Sequence, residues 1–493
     1  MITMTTQPFQ FDSSACVLRF AVIGAGITGL AAAHRLIEQA RAAGRLIQVV
    51  VFEATDRVGG VFGTEARGDY LIERGADSFI TNKPWGIDLC RRLGLQSRLI
   101  PTNAEFRRSL ILYQGRPVPT PAGFQLVAPT QVAPILTTPL LSWAGKLRLL
   151  SERLIPARTE TGDESVADFV TRRLGKEALT RLVQPLVGGI YTGDPERLSA
   201  QATLERFVAM ERNSGSLFHG MKAARTARQP GHSSGARYDL FVSFPDGIQE
   251  LLRALEQAIQ PEGGVCWNSP VTRVEKRPQG WAVHASRSCQ EFSGVVLALP
   301  VPAAAQLVRP LDAVCADLLQ SIELASSAIV VSGHSLQDVG HPLDAFGLVI
   351  PHAEKRRILA TSFLSRKFEH RAPPGRVCLR TFVGGALQPE MLTLSDAEIL
   401  KIVREELRSI LGVRGMPDFA EVFRYPLAMP QYTVGHLERV NQIRQRAAQI
   451  SGLELSGNYL DGVGVPDCIH SGEQAAEQLW SGGPASGGFR AGK

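Results

Sequence analysis

Read as a pattern of apolar and polar positions, the chain changes rhythm many times, and the first change is the most informative. Val17 to Ile23 is a run of strand length, rich in β-branched residues. It breaks at Gly24, after which Leu30, Ala31 to Ala33, Leu36 and Ile37 recur at helical spacing. A second strand-like run, Ile47 to Phe52, ends in Glu53. Strand, helix and strand in this order predict a βαβ unit on a parallel sheet. Asn82 to Leu95 predicts a helix with Leu89, Leu93 and Leu95 on its apolar side, and Ser165 to Leu174 and Lys176 to Leu186 predict two more. Ser395 to Leu411 predicts another, opened by Ser395 with Glu398 three residues on, the spacing of a capping box. Val265 to Val274, Trp281 to Ala285 and Phe292 to Leu299 predict a β-rich section closed by Pro300. Ala328 to Ser332, Leu348 to Ile350, Ile358 to Phe363 and Val377 to Val383 predict strands of a second sheet.

Between these segments the pattern is less regular. Prolines at 101, 117, 119, 121, 129, 134 and 139 exclude one long helix. Leu136, Leu140, Leu141, Trp143, Leu147 and Leu149, interspersed with Lys146 and Arg148, suit either a helix at a membrane interface or a core helix under a second domain. Glycine and proline density marks Val187 to Ser199 as a loop, and Thr226 to Arg237 reads as a mobile one. Residues 1–16 and 481–493 read as flexible ends.

Composition narrows the class. A chain of 493 residues, 44% hydrophobic and 20% charged, fits two or three globular units. Its seven cysteines are scattered, odd in number and free of CxxC spacing, which argues against a disulfide framework or a zinc site and for a reducing compartment. The net charge of +6 comes without long basic runs, so it suits an anionic ligand or membrane surface and not nucleic acid. Met1 to Ser14 lacks the features of a secretion signal, and no apolar run is long enough to predict a transmembrane helix.

The candidate chemistry lies in glycine spacing. Gly24-Ala25-Gly26-Ile27-Thr28-Gly29 falls between the first strand and helix, as a dinucleotide site requires. Gly24 permits a tight turn, Gly26 admits a pyrophosphate to the backbone, and Gly29 lets helix and strand pack closely. Glu53, roughly 20 residues past Gly29, stands where a ribose-binding carboxylate is expected. The alternative is a βαβ unit without a ligand. Ala54 then leads to Arg57 and the pair Gly59-Gly60, where Arg57 can meet a phosphate or a flavin edge, or form a solvated ion pair. Gly75-Ala76-Asp77-Ser78 reads as a turn whose backbone reaches a ligand.

Together these motifs resemble the FAD-binding half of the flavin amine oxidase superfamily. Two further segments narrow the resemblance to oxygen-dependent protoporphyrinogen oxidases. One is Gly189-Ile-Tyr191-Thr-Gly193-Asp194-Pro195-Glu-Arg-Leu-Ser199, with Asn213 to Leu217 after it. The other is Gly457-Asn458 followed by Gly462-Val-Gly464-Val465-Pro466-Asp467-Cys468-Ile469. The resemblance implies an α/β (α+β) fold of three parts. A Rossmann-like FAD domain is assembled from 17–100, 240–300 and 450–480. A helical membrane-docking and substrate region spans 101–239, and a substrate domain on an antiparallel sheet spans 301–449. It implies non-covalent FAD, with Val271 adding backbone contact to the adenine and Gly457, Asn458, Gly464, Val465 and Pro466 facing the isoalloxazine. Cys468 is expected to pack, not to link the cofactor. Arg107 or Arg108 is expected either to hold a substrate propionate or to be a solvated surface arginine, and His436 is a structural or catalytic histidine. The implied reaction oxidises protoporphyrinogen IX to protoporphyrin IX with dioxygen, releasing hydrogen peroxide. It is placed in the cytoplasm at the membrane surface, with hand-over to a chelatase and the oligomeric state open. Coproporphyrinogen III oxidation is the alternative. Another amine oxidase or a carotenoid desaturase, and a redox-inactive binding protein such as a Rab GDP-dissociation inhibitor, also remain open.

Overall fold

Leu18–Ile23 (β1) is the middle strand of a five-stranded parallel sheet, flanked by Ile47–Phe52 (β2) on one side and Gly294–Leu297 on the other. Gly263–Cys266 and Leu453–Leu455 form its edges, so the sheet gathers three distant stretches of chain. Successive β1 side chains point to opposite faces. Phe20 and Val22 pack with the helix Ile27–Ala42 (α1) and the C-terminal helix Val465–Ser481, while Ala21 and Ile23 pack under Trp281 and the helix Val301–Val308. Burial on both faces explains why these strands read as continuous apolar runs. The computed structural model describes residues 17–160, 162–227, 240–286 and 288–482. The expected flexible ends (apart from Ser481 and Gly482), Cys16 among them, and most of the expected loop Thr226–Arg237 lie outside the described residues.

The second half is a seven-stranded sheet in the order Phe419–Pro430, Leu324–Ser335, Arg376–Gly384, Ala360–Phe363, Gly347–Val349, Ser109–Tyr113 and Arg116–Pro119. All pairs are antiparallel except Gly347–Val349 with Ser109–Tyr113. Its last two strands come from within the proline-rich stretch. One face packs on the helix Asp396–Leu411, whose capping box at Ser395 and Glu398 forms as the spacing predicts. The other face receives Tyr70 and Ile72 from a hairpin of the cofactor half.

Helical segments between 133 and 227 form a third, separate core. The predicted Lys176–Leu186 helix extends further, to Tyr191, through a π turn at Leu179–Val183. Pro185 lacks an N–H and crowds the carbonyl four residues back, which a widened turn relieves. The Leu136–Leu150 stretch divides into Ala133–Thr137 and Trp143–Leu150, the latter capped by Ser142. Leu140, Leu141 and Leu149 are buried, whereas Trp143 and Leu147 are 68% and 66% exposed. No helix among the described residues is long and apolar enough to cross a membrane.

Candidate cofactor and substrate site

The site forms where β1 stops. Gly24 has φ +105°, and a Cβ there would collide with the Ala298 carbonyl. A Cβ on Gly29 would collide with the Gly24 carbonyl. Around Gly26, by contrast, a Cβ would find nothing within 4 Å. The three glycines thus do three different things: one turns, one packs, and one borders open space. Gly26 is also the N-cap of α1 and brings no side-chain cap. The first-turn N–H groups of α1 thus have no side-chain cap, and Ala25, Ile27 and Thr28 beside them are buried.

Glu53 closes the side of this cradle. Its Oε2 accepts from the Ala25 N–H at 2.9 Å, and Oε1 accepts from the Thr55 N–H and hydroxyl at 2.9 and 2.8 Å. Its carbonyl takes the Ser269 N–H at 2.8 Å, and Ser269 leads into the strand that starts at the half-buried Val271, while Ala54 is exposed. The Gly59 N–H donates to the Ala25 carbonyl at 2.8 Å, with Gly59 and Gly60 at φ +111° and +58°. Arg57 joins no surface ion pair among the described residues. Its guanidinium donates to the carbonyls of Phe62 (2.7 Å), Val58 (3.2 Å) and Gly60, and so clamps its own loop.

The 75–78 turn follows the hairpin that meets the second sheet. Gly75 lies against the Val61 carbonyl where a Cβ would not fit, Ala76 is half-buried, and Ser78 donates to Asp77 at 2.7 Å. Burial alone would raise the Asp77 carboxyl. Lys367 at 2.9 Å and Arg380 at 3.2 Å outweigh it and hold the group well below the usual carboxylate range.

The C-terminal helix brings a second uncapped N-terminus, with Gly464 as N-cap and Pro466 in the first turn. It packs on α1 at Gly472, where a Cβ would strike the Thr28 carbonyl. Gly457 (φ +155°) donates to Ser471 Oγ at 3.0 Å, and the Asn458 carbonyl accepts from Tyr432 at 2.5 Å. The Asp467 carboxylate lies beside Gly462 and Gly464 and takes Lys83 Nζ at 2.5 Å. Tyr191, of the loop-like motif, is raised by burial and by Asp467. Cys468 is buried and its thiol pushed up to about 12 by desolvation, which favours packing over attachment. His436 is buried, stacks on Tyr432 at 4.0 Å and meets the Leu460 carbonyl at 3.1 Å, a structural position.

Several of these contacts escape sequence reading. Lys367 and Arg380 stand about 300 residues from the turn they support and Tyr432 stands 26 from Asn458, and no spacing rule links them. The proposed propionate residues fare differently: Arg107 and Arg108 are both exposed, and Arg108 is closed on Asp344 in a surface ion pair. Among the described residues no cluster suits a metal ion.

With this geometry in hand, comparison with known proteins is informative. A model of the family described as flavin containing amine oxidoreductase matches residues 27–480. The coproporphyrinogen III oxidase of Bacillus subtilis (strain 168) is 32% identical, covering 92% of this chain and 96% of its own. The chloroplastic protoporphyrinogen oxidase of Nicotiana tabacum is 29% identical over 94% and 86%. A crystal structure from Exiguobacterium sp. 255-15, named as a candidate protoporphyrinogen oxidase, superposes with TM-score 0.81 at 29% identity, covering 94% of this chain and 98% of that one.

Proposed function

The chain belongs to the flavin-containing amine oxidoreductase family and is an FAD-dependent oxidase, and from that premise we propose that it oxidises coproporphyrinogen III to coproporphyrin III with dioxygen. The observation that carries this choice is the 32% identity to the Bacillus subtilis protein across 92% of the chain, against 29% to the tobacco protein. It turns the substrate away from protoporphyrinogen IX, the expectation drawn from the Tyr191 segment. Protoporphyrinogen remains the second reading, favoured by that segment and by the Exiguobacterium neighbour.

FAD, when bound, supplies the electron chemistry: a porphyrinogen loses six electrons in three rounds, and three dioxygen molecules leave as hydrogen peroxide. The chain's own residues are read as follows. Gly24 to Gly29 would hold the pyrophosphate on bare N–H groups, since the open space at Gly26 fits it. Glu53 would take the ribose hydroxyls. The uncapped first turn of the C-terminal helix would place N–H groups and a positive end where reduction builds negative charge. The second sheet and the helix ending at Tyr191 would form the wall against which the apolar macrocycle lies. Among the described residues no side chain stands out as the base for the pyrrole proton.

The same reading puts the protein in the cytoplasm, in peripheral contact with a membrane, from which the porphyrin passes to a chelatase. Trp143, Leu147 and Leu154 are the exposed apolar residues that support it. Lys146 donates to the Leu136 carbonyl at 2.8 Å and Arg148 to three carbonyls at the end of the neighbouring helix, so neither is spare for lipid headgroups. The test of the reaction is porphyrin fluorescence in air with three peroxides formed per porphyrin. A flavin-loaded protein that yields neither from either porphyrinogen refutes it.

A further inference from the structure

The 75–78 turn rests on charges that arrive from far along the chain. Asp77 is 8% exposed and binds Lys367 at 2.9 Å and Arg380 at 3.2 Å. Lys367 also donates to Ser78 Oγ at 2.9 Å, and Arg380 to the Gly75 carbonyl. Two residues before the turn, the fully buried Glu73 accepts from Thr64 Oγ1 at 2.7 Å and from the Ile248 N–H at 3.0 Å. Arg371, equally buried, donates to the carbonyls of Phe244 and Pro245 at 2.6 and 2.7 Å, and its charge acts on Glu73 and Asp77. Asp246, the other carboxylate near Arg371, is exposed and paired with Arg98.

Three buried or nearly buried cations therefore face two buried carboxylates. Even with Glu73 ionised, positive charge is in excess, and burial pushes Glu73 up to about 7, towards its neutral form. The Nε atoms of Arg371 and Arg380 have no hydrogen-bond partner among the described residues. Inside a protein such an excess is weakly screened.

We propose that this cluster sets the redox potential of the bound flavin, its excess positive charge stabilising the reduced cofactor through the 75–78 turn. The proposal rests on the reading that the chain binds FAD and that the Gly75–Ser78 backbone reaches it. A hydride brings two electrons and one proton, so the cofactor gains one negative charge on reduction, and nearby positive charge favours that state. Arg380 belongs to a strand of the seven-stranded sheet and Lys367 to the short helix before it. The half of the molecule that would bind substrate thus tunes the cofactor held by the other half. Lys367, Asp77 and Arg380 are positioning residues in this scheme, acting through the turn.

The test is the midpoint potential of the full-length, FAD-loaded protein. Lys367→Gln is expected to disfavour reduction at least tenfold, about 30 mV lower for a two-electron couple. Lys367→Arg keeps the potential within threefold in that equilibrium, and Asp77→Asn moves it in the opposite direction, upward. A purely structural role predicts lost flavin or shifts of one sign in both charge-altering variants. An unchanged potential in flavin-replete Lys367→Gln overturns the proposal. If that variant purifies without flavin, a potential that falls or stays put in Asp77→Asn overturns it instead. A parent protein unable to hold FAD would defeat the underlying reading of the site and not this inference.

Discussion

The two sides of the proposed site are built on different principles. The proposed cofactor side is bare backbone: glycines at 24, 26, 59 and 464, two uncapped helix ends, and one carboxylate, Glu53, tied to the Ala25 N–H. The opposite wall is made of side chains held by long-range contacts, with Lys367 and Arg380 bonded to the 75–78 turn and Tyr432 to the Asn458 carbonyl. Where backbone meets backbone, as at Gly24 and Gly29, no added atom is tolerated, because main chain cannot step aside. Side-chain sites can be altered by degrees. Substitutions on the first wall should act as all-or-none, and those on the second should shade the properties of a protein that still folds.

The largest expected effect separates two glycines of one motif. Gly29→Val drives a side chain into the Gly24 carbonyl and should cost about 3 kcal/mol or more of stability. Gly26→Val meets no protein atom, so it should fold with near-parental thermal stability and purify colourless. If Gly26→Val retains stoichiometric FAD, the open space beside it is not the pyrophosphate site.

That contrast also explains what the sequence disclosed. Glycine spacing between strand and helix encodes a backbone path, which is local, so the cradle at 24–29 and the pair 59–60 were legible residue by residue. The capping box at Ser395 was legible for the same reason. The opposing wall depends on which strands become neighbours. Ser109–Tyr113 and Arg116–Pro119 join a sheet whose other strands lie beyond residue 323, and nothing local announces it. Arg107 and Arg108 are expected at the substrate only through the family resemblance, and the chain turns Arg108 outward to Asp344. Arg57 illustrates a third case, where residue type and place were informative and the partner, its own loop's carbonyls, was not.

A smaller effect is expected from pH on the side-chain wall. His436 is held neutral, down to about 4, chiefly because burial disfavours its charged form. Its folded value lies below the unfolded value of ~6.5, so the unfolded chain takes up the proton first. The stability it contributes is complete above pH 6.5 and is lost as pH falls towards 4, by about 3 kcal/mol. Denaturant titrations at pH 7 and pH 4.5 should show a smaller loss in His436→Gln. An equal loss would mean that the imidazole does not titrate as its surroundings require.

Outside the cleft the effects should leave the cofactor untouched. Trp143→Glu with Leu147→Glu should reduce partitioning onto vesicles while FAD content stays at the parental level. Because Lys146 and Arg148 are engaged internally, the parent's partitioning should change little with salt. Equal partitioning of parent and variant removes the membrane proposal. Smallest of all, Arg108→Ala should alter KM for a porphyrinogen less than twofold, since its charge is spent on Asp344 at the surface. A several-fold rise would return Arg108 to the substrate site.

The central claim is the substrate, and it turns on charge. Coproporphyrinogen III carries two propionates where protoporphyrinogen IX carries vinyl groups, and a pocket built for vinyls would bury those carboxylates unpaired, at a cost of ~1–3 kcal/mol or more. The ratio of kcat/KM for the two porphyrinogens, measured on one preparation with equal flavin loading, therefore decides between them. The account predicts a ratio of at least ten in favour of coproporphyrinogen III. A ratio at or below one contradicts it and makes this a protoporphyrinogen oxidase.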